Sequence, residues 1–310
     1  MDDDPANAFS TLSRPLPAGL VARVATRRDI DASLALVSAC ETANDGVSEV
    51  HPTDIIQAFD LTSTNDGVLV VEDGSRIVGW ANVVDGRADV NVHPDALGLG
   101  IGAALLAWTE ARARVTGRTQ VRQVVTDADL AARRLFEASG YTEIQASWIL
   151  EMSLGGESPS VRVPPGITLC AYETGDAEAT YRVIEDAFSE APGRDPVAFE
   201  RWTAHVLDHP AFAPGLSRLA FDGDELVGAA LSHDYSGESE GWVQQLATKA
   251  THRHRGIARA LLGSVFGAFH AAGKRTVGLS TNSRTGALTL YERLGMRVRR
   301  SYTGWSRDLA

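Results

Sequence analysis

The chain has 310 residues, 44% of them hydrophobic and 22% charged, with a formal net charge of −11. That profile is globular, and the length predicts two domains at roughly 100–200 residues each. The acidic balance argues against a sequence-independent nucleic-acid binder, whose affinity rests on neutralising phosphates, and is compatible with a cationic or amine substrate.

Met1 to Ala18 is rich in Asp, Ser and Pro and reads as a mobile tail. Leu20–Val24 reads as a strand, and Asp29–Glu41 as a helix with apolar positions at Ile30, Leu34 and Val37. Asn44-Asp45-Gly46 is a turn signal. Val68–Glu72 and Ile77–Val84 flank a turn at Asp73-Gly74 as a strand hairpin. A strand at Ala88–Val92 and a helix from Gly100 toward Thr116 follow, then a strand at Val121–Thr126. A short helix, Leu130–Ser139, closes on Gly140 before a strand at Tyr141–Glu151. Gly155–Pro165 has no apolar periodicity and reads as a linker.

After the linker the pattern starts again. Gly19-Leu20 corresponds to Gly166-Ile167, Ile77-Val78-Gly79 to Leu226-Val227-Gly228, and Gly100-Ile101-Gly102 to Gly256-Ile257-Ala258. Leu135-Phe136-Glu137 with Gly140 corresponds to Leu290-Tyr291-Glu292 with Gly295. The offset stays near about 150 residues, and an internal duplication is the simplest account of it. The expected organisation is a tail at 1–18, one domain at 19–154, a linker at 155–165 and a second domain at 166–310.

The second half carries the clearest chemistry. Trp242–Thr248 reads as a strand, Lys249–Arg255 as a basic turn, and Gly256 opens an amphipathic helix at Ile257, Ala258, Ala260, Leu261 and Leu262. A helix start leaves about four backbone N–H groups without intrahelical partners and carries partial positive charge. Gly256 and Ala258 leave room for a bulky anion, while Arg253 and Arg255 can add charge-assisted hydrogen bonds. The stretch reads as a pyrophosphate cradle, with neither the Lys-Ser/Thr pair of a Walker loop nor the spacing of a dinucleotide fingerprint. A solvated basic helix start is the plainer alternative.

Arg253-His254-Arg255-Gly256-Ile257-Ala258 fits Q/R-x-x-G-x-G/A, and Ala287 to Met296, ALTLYERLGM, fits A-x-x-L-Y-E-x-x-G-F/M. With a strand at Thr276–Ser280 between them, the two motifs resemble the acyl-CoA loop and tyrosine helix of the GNAT superfamily of N-acyltransferases. The resemblance implies an α+β fold of two tandem domains, each a mostly antiparallel sheet flanked by helices. It further implies transfer of an acetyl group from acetyl-CoA to a primary amine of a small molecule by direct attack. The pantetheine arm would lie along Leu246, Ala247 and Thr248, and the pyrophosphate on Arg253, His254, Arg255, Gly256, Ile257 and Ala258.

By the same resemblance Tyr291 stands beside the thioester sulfur. A phenol with a pKa of about 10 is protonated at neutral pH and can give its proton to the leaving thiolate; a core aromatic at helical spacing is the alternative. Asn282 precedes the tyrosine helix and reads as a substrate-orienting group on the cofactor side or as a plain N-cap. Many family members carry a glutamate on the strand before the loop, and here that strand has no carboxylate in its body. Glu240, His233 and Asp234 are the nearest candidate bases, each readable also as a solvated loop residue. Trp202, His205 and Phe212 lie in a helical insert that would cover the acceptor. His252 and His254 could touch the 3′-phosphate side and lack a third ligand at metal spacing, so no metal is expected.

The first half departs from this pattern. Leu97 stands where the second half has Arg253, Leu99 where it has Arg255, and Phe136 where it has Tyr291. A leucine offers no donor to a phosphate oxygen, so this half reads as a degenerate copy with a structural or substrate-shaping role. The alternative is that the amides of Gly98–Gly102 still bind acyl-CoA. Three rival functions are a mycothiol-synthase-like enzyme, a non-catalytic acyl-CoA sensor and an aminoacyl transferase that uses charged RNA. Cys40 and Cys170 read as small core residues rather than a disulfide or metal set. No apolar run is long enough to span a bilayer, and the acidic start MDDDP is not a secretory signal. A cytoplasmic monomer or homodimer, with no nucleic-acid or membrane partner, is expected.

Overall fold

A computed structural model describes residue 12 and residues 14–61, 67–156, 161–190, 194, 196–235 and 237–309. Most of the expected tail and the middle of the expected linker lie outside the described residues. The first repeat runs β1 (Leu20–Val24), α1 (Ile30–Asp45), α2 (Pro52–Leu61), β2 (Val68–Asp73), β3 (Arg76–Val84), β4 (Arg87–Val92), α3 (Ile101–Val115), β5 (Gln120–Thr126), α4 (Leu130–Ala138) and β6 (Thr142–Ser153). The second runs β7 (Ile167–Ala171), α5 (Ala177–Ser189), α6 (Phe199–Val206), β8 (Arg218–Asp222), β9 (Glu225–His233), β10 (Glu240–Thr248), α7 (Ile257–Ala271), β11 (Thr276–Asn282), α8 (Leu288–Arg293) and β12 (Arg297–Asp308). The same elements recur in the same order, which is the structural form of the duplication. Helix α2 has no counterpart in the sequence reading. It is a short amphipathic segment that starts on Pro52, suited to a first helical position, and buries Ile55 and Ala58.

The chain folds into two compact units, residues 1–146 with 300–310, and residues 147–299. In the first unit the strand order is β1-β2-β3-β4-β5-β12; in the second it is β6-β11-β10-β9-β8-β7. Pairing is antiparallel except for β4 with β5 and β10 with β11. Tyr302–Asp308 of β12 pair with β5, and Ser147–Ser153 of β6 pair with β11. The last strand of each repeat therefore completes the sheet built by the other repeat. The halves expected from the sequence, 19–154 and 166–310, differ from the compact units at these two strands. Alternation within a strand marks its two faces and says nothing about which edge it joins.

Each sheet is covered on both faces. In the first unit Leu69, Val71, Ile101, Leu105 and Trp305 form one core, and Leu36, Ile55, Val70 and Trp80 form the other under α1 and α2. In the second unit Leu261, Val265, Phe266 and Phe269 of α7 fill one face, and Val183, Ile184 and Trp202 of α5 and α6 fill the other. Burial on both faces explains the near-continuous apolar runs of β3 and β9. Cys40 is buried as expected, whereas Cys170 is exposed. It lies on β7, the edge strand, on the face opposite the one that carries the buried Ile167 and the half-buried Leu169.

Candidate active site

The site residues of the second unit are arranged around the seam between β10 and β11. These parallel strands pair only from Glu240↔Thr276 to Val243↔Leu279. Beyond Val243 they part, and Gln244–Thr248 have no partner on the β11 side among the described residues. On its other side β10 has a register shift between Val243 and Gln245 against β9, so one residue is left over in the ladder. The edge of Leu246, Ala247 and Thr248 thus keeps backbone donors and acceptors for an extended ligand, the manner in which an added strand binds.

That edge leads into the basic turn. The Lys249 amide donates to the Val227 carbonyl at 2.9 Å, which fixes where the turn leaves the sheet. His254 adopts φ +62° and Gly256 φ +86°, and these two left-handed positions bring the chain round to α7. The first bond inside α7 is from the Ala260 amide to the Gly256 carbonyl. The amides of Ile257, Ala258 and Arg259 precede it and face out of the helix start, with no side-chain cap at Gly256.

The basic side chains of the turn are not idle. Arg253 makes a two-pronged ion pair with Glu190 at 2.7 and 2.9 Å, and its Nε donates to the Thr248 carbonyl at 3.3 Å. Arg255 pairs with Asp222 at 2.9 Å, and His252 lies 3.4 Å from the same carboxylate. The Arg253 hydrogen bonds hold the Glu190 carboxyl below its ordinary range. A phosphate arriving at this turn would therefore meet carboxylates already seated on both arginines.

Tyr291 lies on α8 and is 6% exposed, among Leu150, Val277, Leu279 and Met296. Burial pushes its phenol up to about 12, opposed by a hydrogen bond with the Thr281 side chain. Asn282 ends β11 and does not cap the tyrosine helix, whose N-cap is Ala287; its Oδ1 instead accepts from the Arg284 amide at 3.0 Å.

The three candidate bases have distinct environments. Glu240 is the first residue of β10 and pairs with Arg299 at 2.9 Å, and Asp234 pairs with Lys274. His233 is not a solvated loop residue: it ends β9, is buried, and stacks on His209 with ring centroids 4.6 Å apart. Burial, reinforced by His209, pushes its imidazole down to about 4. Trp202 is buried on α6 and its Nε1 donates to Gln245 Oε1 at 3.0 Å, which ties the helical insert to the irregular part of β10. His205 is exposed, with its Nδ1 2.8 Å from the Arg201 carbonyl one turn back, and Phe212 packs edge-on to Tyr172. Gln245 carries no chemical signal in the sequence, since a lone glutamine has none until its partner is known.

In the first unit β4 and β5 part even sooner, pairing only at Arg87↔Arg122. Gly98 and Gly100 keep left-handed φ values of +78° and +81°. Leu97 and Leu99 project from the loop, 53% and 48% exposed. Phe136 is a core ring, stacked on Trp305 at 5.6 Å.

Comparison with known proteins agrees with this geometry. Residues 177–296 match the model of the acetyltransferase (GNAT) family, and residues 64–143 match an acetyltransferase (GNAT) domain. A mycothiol acetyltransferase of Mycolicibacterium gilvum is 31% identical over 293 residues, which span 85% of this chain and 89% of its own. The chain belongs to the GNAT family of acetyltransferases. It carries two GNAT domains in tandem on a mixed α/β fold, as its motifs implied. A mycothiol acetyltransferase of Streptomyces scabiei is 29% identical over 295 residues, covering 88% of this chain and 91% of its own. Among solved structures, a GCN5-related N-acetyltransferase from Sphaerobacter thermophilus superposes with a TM-score of 0.82 at 29% identity, over 95% of this chain and 97% of that one. A tandem GNAT protein from the clavulanic acid biosynthesis pathway shares the fold, with a TM-score of 0.69 at 19% identity over 94% and 98% of the two chains.

Proposed function

We propose that the second unit of this GNAT acetyltransferase transfers an acetyl group from acetyl-CoA to a primary amine of a small molecule, in the cytoplasm and without a metal. The observation that supports this most is the parted β10 edge running directly into the uncapped start of α7 beside Arg253 and Arg255. In this reading the pantetheine amides pair along Leu246, Ala247 and Thr248. The pyrophosphate takes the place of Glu190 and Asp222 on the arginines and accepts from the amides of Gly256, Ile257 and Ala258. Asn282, at the end of β11, orients the donor's pantetheine end.

The amine nitrogen attacks the thioester carbonyl, a C–N bond forms, and the C–S bond breaks. Tyr291, a phenol protonated at neutral pH, gives its proton to the departing thiolate and regains one from solvent; burial, which pushes the group up to about 12, keeps the proton in place until the thiolate forms. The amine's own proton leaves to solvent, since Glu240 and Asp234 are held in ion pairs. The first unit, with Leu97, Leu99 and Phe136 in place of the charged and hydroxyl groups, is assigned no transfer chemistry.

The names of the curated relatives make the acceptor of the mycothiol acetyltransferases the first amine to try. The deciding experiment is a calorimetric titration of acetyl-CoA into the wild type and Arg253→Ala, followed by an amine panel with release of free CoA thiol as the readout. One site per chain, weakened at least tenfold by the substitution, supports the reading. Acetyl-CoA binding without turnover on any amine would instead support a sensor, and no binding at all would end the proposal.

A further inference from the structure

The first unit contains a cavity of about 420 Å³ at the point where β4 and β5 part, bounded by α1, α4 and the start of α3. That is ample for a small molecule. Its walls are chiefly apolar, with Val92, Ile101, Leu106, Leu135 and Phe136 among them. Among the described residues, the charged or amide side chains in the wall are Asn44, Asn91 and Asp129, and no lysine, arginine or histidine lines it. We propose that this cavity binds a neutral, largely apolar small molecule bearing an oxygen acceptor, such as an alcohol or an amide, and that it does not bind a phosphorylated donor.

Charge decides against an anion. Leu97 lines the mouth and Leu99 stands two residues on, both exposed, at the positions equivalent to Arg253 and Arg255. Among the described residues that line the cavity no cation meets a phosphate, and the one charged group is a carboxylate. Charge also fails to favour an ammonium ion. Asp129 caps α4 by accepting from the Ala132 amide at 2.8 Å, and its other oxygen accepts from Asn44 Nδ2 at 3.3 Å. It thus faces a helix start whose partial positive charge offsets its own.

What remains for a ligand is hydrogen bonding to an oxygen. The first bond inside α3 is from the Ala104 amide to the Gly100 carbonyl, so the amides of Ile101, Gly102 and Ala103 at the cavity wall precede it and can donate. Cys40, at the inner wall, donates its thiol hydrogen to the Val92 carbonyl at 3.2 Å, and burial pushes the thiol up to about 12. It behaves as one more apolar group, and binding is non-covalent.

The test uses the full chain and three probes of one length, octan-1-ol, octanoate and octylamine, titrated by calorimetry. The expected result is one octanol site per chain, with octanoate and octylamine at least tenfold weaker. Ala43→Trp on α1 and, separately, Ala131→Trp on α4 would each push an indole into the cavity from an exposed wall position. With thermal unfolding unchanged, either should weaken octanol at least tenfold. Leu97→Arg combined with Leu99→Arg should narrow the preference for octanol over octanoate at least tenfold. The proposal is overturned if octanoate binds as tightly as octanol, or if neither tryptophan affects octanol. It is also overturned if acetyl-CoA fills two sites and a tryptophan removes one. Arg253→Ala separates this question from the transferase reading, because it should weaken acetyl-CoA binding in the second unit at least tenfold and leave octanol binding intact.

Discussion

Gly241, on β10, offers a stringent check of how this strand sits on α7. A Cβ added there would lie 2.3, 2.5 and 2.6 Å from Cδ1, Cε1 and Cγ of Phe269, a ring with 0% exposure in the middle of the core. Ordinary carbon contacts lie at about 3.5–4.0 Å, so in Gly241→Ala the ring must retreat by more than about 1 Å into close-packed surroundings. Overpacking of this kind costs about 1–3 kcal/mol. Phe269→Ala, by contrast, removes the ring and costs about 3–5 kcal/mol through the cavity it leaves. In the double substitution the new methyl enters that space, so Gly241→Ala should cost nothing further, or be slightly stabilising, once Phe269 is alanine. The coupling between the two sites is then about 1–3 kcal/mol. Urea unfolding of the four proteins measures it directly. If Gly241→Ala costs the same with and without the phenyl ring, this account of β10 against α7 is wrong.

Three further outcomes are expected. Tyr291→Phe should lower kcat at least tenfold, and, with the phenol pushed up to about 12, the wild-type rate should show no falling limb from this group below about pH 10; an unchanged kcat in the variant removes Tyr291 from the mechanism. His233 is pushed from its ordinary 6.5 down to about 4, so the folded state disfavours its protonation. Its contribution is complete above 6.5 and is lost as pH falls toward about 4, at most about 3 kcal/mol at 1.36 kcal/mol per pKa unit. His233→Gln should flatten the stability profile across that window, and an unchanged slope would assign the acid sensitivity elsewhere. Glu190→Gln removes the carboxylate that now occupies Arg253 and should tighten acetyl-CoA binding several-fold at low salt; equal or weaker binding would mean that Glu190 holds Arg253 in place for the donor.

The parts of the fold that sequence reveals are those governed by local geometry. Gly98, Gly100 and Gly256 stand at left-handed positions that a β-carbon disfavours, and so both loops could be located from their glycines. The tyrosine helix could likewise be located from its closing glycine, Gly295 at φ +93°. What escaped depends on distant partners. Arg253 meets Glu190 across 63 positions and Trp202 meets Gln245 across 43; neither pair has a spacing that local periodicity can register. His233 reads from the sequence as a candidate base in a loop, and its stacking on His209, 24 positions away, has no local signal. Cys170 reads as a core residue from its apolar neighbours, but it lies on β7 at the end of the strand order, where Thr168, Cys170 and Ala171 are all exposed.

The crossing of the two terminal strands has a consequence for how the protein is made. Until residues 302–308 have emerged from the ribosome, β5 lacks its partner on the β12 side, and an unpaired strand edge is open to mispairing. The unit that begins the chain is thus the last to be completed. Nascent chains stalled anywhere between the linker and Arg299 should expose that edge. Expression of either half alone leaves its sheet without one of its strands, so the gene cannot be divided at its apparent boundary into two self-sufficient proteins.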